Sequence, residues 1–404
     1  MDRGASPEPS GGEAALRDSR PAPLRKYELD WLRVTAILAV FLYHTLRFFD
    51  PADWNVKNAV LHPGLAYVTR IFEIWGMPFM FVVSGAGVFY ALGKRGAGPF
   101  LKDRALRLLV PLAVGIFTHI AWQVYLERLS HGRFSGSFFS FYPRYFDGLY
   151  AFGGNFAWMG LHLWYLEMLF VFSLVFLPLL SWLRRGGGRR ALARFAGLLS
   201  FPGGIYLPAV PIALVLALPD PGSPWTARVF GGWSLIAYIP LFLAGFVLYS
   251  DDRLSDQARR FRWASLAAAV VGTAWMFARF ARGGEPKFGT TYYLVLFLVY
   301  GLCAWLWILA VLGFGAHRLR FAKPALLYLN EGVLPFYVIH QSVLLTVGFV
   351  VVRWAIPDLA KWAVIAAGSL SACALIYEFT IRRFNVTRFL FGLKARRRGG
   401  ESPS

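Results

Sequence analysis

The sequence predicts an all-α protein: a polytopic membrane helix bundle of about ten transmembrane helices, with both termini cytoplasmic. Three observations carry this expectation. Of 404 residues, 57% are hydrophobic and only 16% charged, with a mean hydropathy of +0.50; a soluble domain is about one quarter charged. The apolar residues fall in long runs, and roughly 20 of them in succession span a bilayer core. The net charge of +20 is unevenly distributed. With each Lys or Arg counted at its nearest span end, 29 fall on the side that carries both termini and 12 on the other, Arg33 lying within the first span. That imbalance is the positive-inside rule. The basic excess therefore reports topology, and no nucleic-acid partner is expected.

Residues 1–26 are rich in Pro, Gly and Ala, contain no apolar signal segment, and read as a disordered cytoplasmic tail. The first span, 30–49, lies in LDWLRVTAILAVFLYHTLRFF and carries Arg33 and His44. Eleven residues is close to three helical turns, so both side chains share one face, about 16 Å apart. Asp30, three residues before Arg33, reads either as its partner or as the helix N-cap. The second span, 66–92, contains MFVVSGAGVF, whose Ser84 and Gly85 lie near mid-depth, where small residues let backbones approach. The third, 105–127, begins in LKDRALRLLVPL. The fourth, 159–182, opens GLHLWYLEMLF. The fifth, 204–219, is short and interrupted by Pro, and is the weakest. Spans 232–250, 262–281 and 290–313 rest on apolar length. The ninth, 326–352, carries PFYVIHQSV, and the tenth covers 359–381. Residues 386–404 read as a basic, disordered cytoplasmic tail, which leaves 27–385 as the membrane domain.

Ionisable residues inside a membrane usually face a protein interior or a watery cavity, and point to function. Arg104 and Arg107 are three residues apart and share a helix face at the inner edge. Paired guanidiniums suit a polyanion; they equally suit positive-inside anchors that bind lipid phosphates. By depth, His44, His340 and His162 fall in the outer half, with Glu167 about a turn and a half below His162. His119, on the third span, is a further member or a packing residue. Arg47, about one turn beyond His44, is a cation by position only. The connection SHGRFSGSFFSFYPRYFDGLYAFGGNFAW is the longest outer loop, and its aromatics suit a sugar platform or an interfacial belt. Cys303 and Cys373 lie in apolar spans and suggest neither a disulfide nor a metal site.

On these residues the chain resembles the acyltransferase-3 superfamily of bacterial integral-membrane acyltransferases. More narrowly it is similar to the glucan succinyltransferase-like branch that contains the glucans biosynthesis protein C. The carriers are LDWLRVTAILAVFLYH, FVVSGAGVF, RALR, HLWYL and PFYVIHQ, spread in order from residue 27 to 343. The resemblance implies an inner-membrane acyltransferase of groups other than aminoacyl groups. Its donor would be a cytoplasmic coenzyme A thioester (acetyl-CoA or succinyl-CoA), and its acceptor a carbohydrate hydroxyl on a periplasmic glucan or another envelope glycan, with no metal. Arg104 and Arg107, with Ser84 and Gly85, would hold the coenzyme. His44 would act as general base or transient acyl carrier, with Arg33, His162 and His340 in the catalytic set, which Glu167 joins by depth alone. Glu167 departs from the family's carboxylate spacing, so no role carries over to it.

Two other classes fit the same residues. A transporter of a small polar solute or acid would also bury an ionisable relay, although no matched broken helices are legible in two halves. A membrane sensor or assembly subunit with a degenerate site is the other.

Overall fold

The computed structural model describes residues 25–284 and 286–396. Among these the chain is helical, with no β-strand; residues 1–24 of the expected tail lie outside the described residues. Helix α1 (Tyr27–Leu46) starts after Lys26, with Glu28 and Asp30 in its first turn, where carboxylates oppose the positive end of the helix dipole. Asp30 is thus inside the helix rather than its N-cap. Helices α2 (Leu65–Lys94), α3 (Ala97–Phe117), α4 (His119–Ser130) and the single turn α5 (Phe138–Phe141) follow. The chain continues through α6 (Trp164–Val175), α7 (Leu177–Leu183), α8 (Gly186–Leu198), α9 (Ala209–Ala217) and α10 (Tyr238–Leu248). It closes with α11 (Asp252–Gly283), α12 (Thr291–Arg318), α13 (Pro324–Val351), α14 (Asp358–Ile376) and α15 (Asn385–Leu390).

Six of these helices are long and apolar enough to cross a membrane, and eight if each of two bent pairs is one span. The protein is therefore a multi-pass helical membrane bundle. The expected third and fourth spans are the bent pairs. Ala97–Phe117 meets His119–Ser130 at 41°, and Leu161–Val175 meets Leu177–Leu183 at 59°. At the first break Thr118 leaves helical geometry (φ −124°, ψ −95°) and its hydroxyl donates back to the Val114 carbonyl at 2.6 Å. At the second, Pro178 follows the break and has no amide to donate. The expected fifth and sixth spans are the short apolar segments Gly204–Ala217 and Leu235–Leu248. At about 1.5 Å per residue each reaches roughly 20 Å, short of a core about 30 Å thick.

Helices α1, α2, α3, α6 and α13 enclose the interior; α13 packs on α1, α4 and α14, and α3 on α6. The flank is built by α9 to α12, with α10 pressed against α2. That last contact depends on two glycines. A Cβ on Gly85 would lie 1.9 Å from the Phe242 carbonyl oxygen, and one on Gly245 would lie 1.9 Å from that of Val82. Backbone cannot yield as a side-chain tip can. Gly245→Ala is therefore expected to destabilise the bundle by about 1–3 kcal/mol, read as a lowered melting temperature of detergent-purified protein. An unchanged melting temperature would show that the α2–α10 contact is slack.

The C-terminal segment is more ordered than expected. Residues 385–390 form α15, and Arg388 is buried, donating to Glu331 at 2.6 Å. Beyond it, the Gly392 carbonyl accepts from Arg107 Nε at 3.3 Å. The described chain thus begins and ends at one end of the bundle.

Candidate functional site

Two cavities open along the shared faces of α1, α2 and α13. The inner one, about 410 Å³, lies at the end where the described residues begin and end and is lined by Arg33, Lys94, Arg95, Arg104 and Arg107. Its one carboxylate, Asp103, is paired with Arg95 at 3.0 Å. Arg33 donates to Asp30 at 3.1 Å, and Asp30 also receives Arg25 at 2.7 Å. Arg104 lies over the Phe100 ring at 5.3 Å. Among the described residues neither Arg104 nor Arg107 has a carboxylate in salt-bridge range, so this chamber carries uncompensated positive charge.

The Ser-Gly stretch of α2 divides its tasks. Ser84 lines the inner cavity and shares a 2.5 Å hydrogen bond with the Tyr165 hydroxyl. Gly87 also lines it, and a Cβ there would stand 3.0 Å from Arg33 Nη2. Gly85, expected with the coenzyme-binding residues, lines neither cavity, because its face of α2 is taken up by Phe242 and Phe246.

The outer cavity, about 520 Å³, is lined by Tyr43, His44 and Arg47 from the end of α1 and by Glu73 and Met77 from α2. His162 and Trp164 and the loop residues Tyr150 and Trp158 complete much of its wall. His340 stands behind His44, fully buried, with its Nε2 3.3 Å from His44 Nδ1. Its own Nδ1 faces the Tyr337 carbonyl at 2.7 Å. A carbonyl only accepts, so His340 carries its proton on Nδ1 and offers a lone pair at Nε2. His44 must then donate from Nδ1, which leaves its Nε2 lone pair free. The tautomer of His44 is thus set by His340 behind it. His162 completes the cluster, 5.1 Å from His340 between ring centroids. Its Nε2 faces the Val338 carbonyl at 3.2 Å and its Nδ1 the Gln123 amide at 3.4 Å.

His119 lines neither cavity, and its Nε2 is buried without a partner among the described residues. Glu167, placed with the catalytic candidates by depth, is likewise off both linings, and its Oε2 has no partner among the described residues. Trp164 faces one chamber and Tyr165, Leu166 and Leu169 the other, while Glu167 is half-buried and lines neither. The carboxylate in the outer chamber is Glu73, which accepts from Tyr43 at 3.0 Å. The signal for it was the one applied to the histidines, an ionisable residue inside a span. Arg47 does line this chamber, but its guanidinium is engaged by Asp50 at 2.5 Å and the Asp53 carbonyl at 2.9 Å. In the loop above, burial and then the neighbouring Glu127 carboxylate raise the Tyr150 phenol well above its ordinary range, so it stays a donor.

Among the described residues Tyr337 is the one common to both linings. It lies one turn before His340 on α13, and its hydroxyl donates to the His162 carbonyl. Among the described residues no three His, Cys, Asp or Glu side chains are grouped as a metal ion requires. A sequence-family profile described as an acyltransferase domain matches residues 26–378. No curated protein and no solved structure matches the chain.

Proposed function

The chain belongs to the acyltransferase domain family, and from that premise we propose that it carries an acyl group from coenzyme A, across the membrane, to a carbohydrate hydroxyl. The observation that carries the proposal is the pairing of a cationic chamber with an imidazole-bearing one that meets it at a single residue, Tyr337. In this reading the bundle sits in a bacterial inner membrane and crosses it ten times, with the two short segments completing the count. Both termini and the inner chamber face the cytoplasm. Arg104 and Arg107 bind the coenzyme phosphates as guanidinium forks, Arg33 lines the path, and the pantetheine arm passes Ser84 and displaces Tyr337 to reach His44.

His44 Nε2 takes the proton of the sugar hydroxyl as its oxygen attacks the thioester carbonyl. The C–S bond then breaks, and the proton passes from His44 to the departing coenzyme thiolate. His340 holds His44 in the required tautomer, and His162 braces the cluster. Transient acylation of His44 Nε2 is the alternative course at the same atom. Between an acetyl and a succinyl group, the engaged Arg47 and the Glu73 carboxylate favour the uncharged acetyl, since a succinyl carboxylate would meet a like charge. That preference separates the chain from the glucan succinyltransferase-like branch, while a periplasmic glucan or other envelope glycan stays the acceptor.

The two bent helix pairs are the feature a transporter of a small polar solute would share. Purified protein given labelled acetyl-CoA and envelope glycan is expected to release free thiol only with the acceptor present, and the glycan to gain the acyl mass. Accumulation of an unmodified solute in vesicles, without thiol release, would establish transport instead.

A further inference from the structure

A third cavity, about 620 Å³, lies on the flank between α7, α8, α9 and α10. Its lining consists of Leu, Ile, Val, Ala, Phe and Pro side chains with Trp305. The indole N–H of Trp305 is already donated to the Ile205 carbonyl at 2.8 Å. Water entering such a space would find no partners, and apolar cavities of this kind stay dry or take an apolar guest. Leu179, Phe195 and Leu207 on its rim are exposed, so it opens sideways onto the surroundings of the bundle. Lys26 pairs with Asp252 at the start of α11 at 2.8 Å, which puts this cavity at the same end as the cationic chamber.

The rim is also charged. Helix α8 turns Ala191, Leu192 and Phe195 to the cavity, and Arg190 and Arg194 immediately precede two of these. Arg185 and Arg189 continue the series, and all four guanidiniums are on exposed residues. Arg190 and Arg194 are like charges four apart on α8, an arrangement that is destabilising unless an anion intervenes. Among the described residues none of the four is in a salt bridge.

We propose that this cavity is a binding site for one anionic phospholipid, with an acyl chain in the apolar space and the headgroup phosphate held between Arg190 and Arg194. The site is independent of the acyl-transfer reading. Delipidated full-length protein in detergent, titrated with phosphatidylglycerol or with phosphatidylcholine of identical chains, tests it by native mass spectrometry. Wild type is expected to take up a single phosphatidylglycerol at roughly 30-fold lower concentration than phosphatidylcholine, two basic residues near an anionic headgroup supplying that preference. Arg190→Gln with Arg194→Gln should equalise the two lipids while leaving the chain site intact. Ala191→Trp, at the rim, should abolish single-site uptake of both. Equal uptake by wild type, a preference that survives the double substitution, or uptake that survives Ala191→Trp would each overturn the proposal. Unsaturating attachment of many phosphatidylglycerol molecules would do so too, because it indicates general adsorption. The double substitution changes only exposed side chains, so the test holds even where Ala191→Trp fails to fold.

Discussion

Membranes carrying His44→Ala are expected to transfer acyl groups slower than wild type by roughly 10²–10⁴-fold, the usual contribution of a positioned general base. The fold should tolerate the change, because His44 lines a cavity and its loss enlarges a space already present. A sugar hydroxyl is a poor nucleophile until its proton is taken in the transition state, and Nε2 of His44 is the lone pair the tautomer chain leaves free. His340→Phe should give a smaller loss, since it removes the acceptor that orients His44 without removing the base. It should also alter the pH profile, because His44 would then be free to protonate either nitrogen. If His44→Ala protein of normal abundance keeps full activity, the outer cluster is structural and the chemistry lies elsewhere.

Arg104→Ala is the second large effect expected. A hydrogen bond to a charged group is worth about 1.5–3 kcal/mol, so the KM for acyl-coenzyme A should rise roughly tenfold to a hundredfold, with kcat little changed. Arg107→Ala should raise KM as well, and the pair together more than either alone. Arg107 is the less clean probe, because its Nε also holds the Gly392 carbonyl, so some of its effect will appear as reduced stability. Rising salt should weaken the donor in wild type more than in Arg104→Ala, because screening acts on the charge the variant lacks. A change in protein abundance without any change in KM would make the two arginines topological anchors.

The parts of the fold legible in the sequence were those that periodicity and charge determine. Arg33 and His44 share a face of α1 because eleven residues nearly close three turns, and the structure opens one chamber at each. The expected hydrophobic segments all became helices, since their apolar runs have no other way to satisfy backbone groups in lipid. The bend at Thr118 was not legible, because a back-bonded threonine within an apolar run is common and breaks a helix only when packing permits. The bend before Pro178 carried its own marker and could have been read. Depth along a span located the three histidines correctly relative to one another but misled for Glu167, because depth carries no information about azimuth. Glu73 and Tyr337 were visible as residue types. Their importance depended on which neighbouring helix they met, and that is a tertiary fact. The ordered turn at 385–390 was hidden by its basic composition, which resembles that of an unstructured tail until Glu331 is found opposite Arg388.

The placement of Tyr337 has a consequence for the cell as well as for the proposed donor path. A continuous aqueous route between the chambers would let protons flow down their gradient, each charge dissipating about 2.3 kcal/mol per 100 mV of potential. Tyr337 lines both chambers, so on the proposed route electrical insulation depends on its ring being in place whenever no donor fills the gap. On that route the arm that displaces it would itself act as the plug.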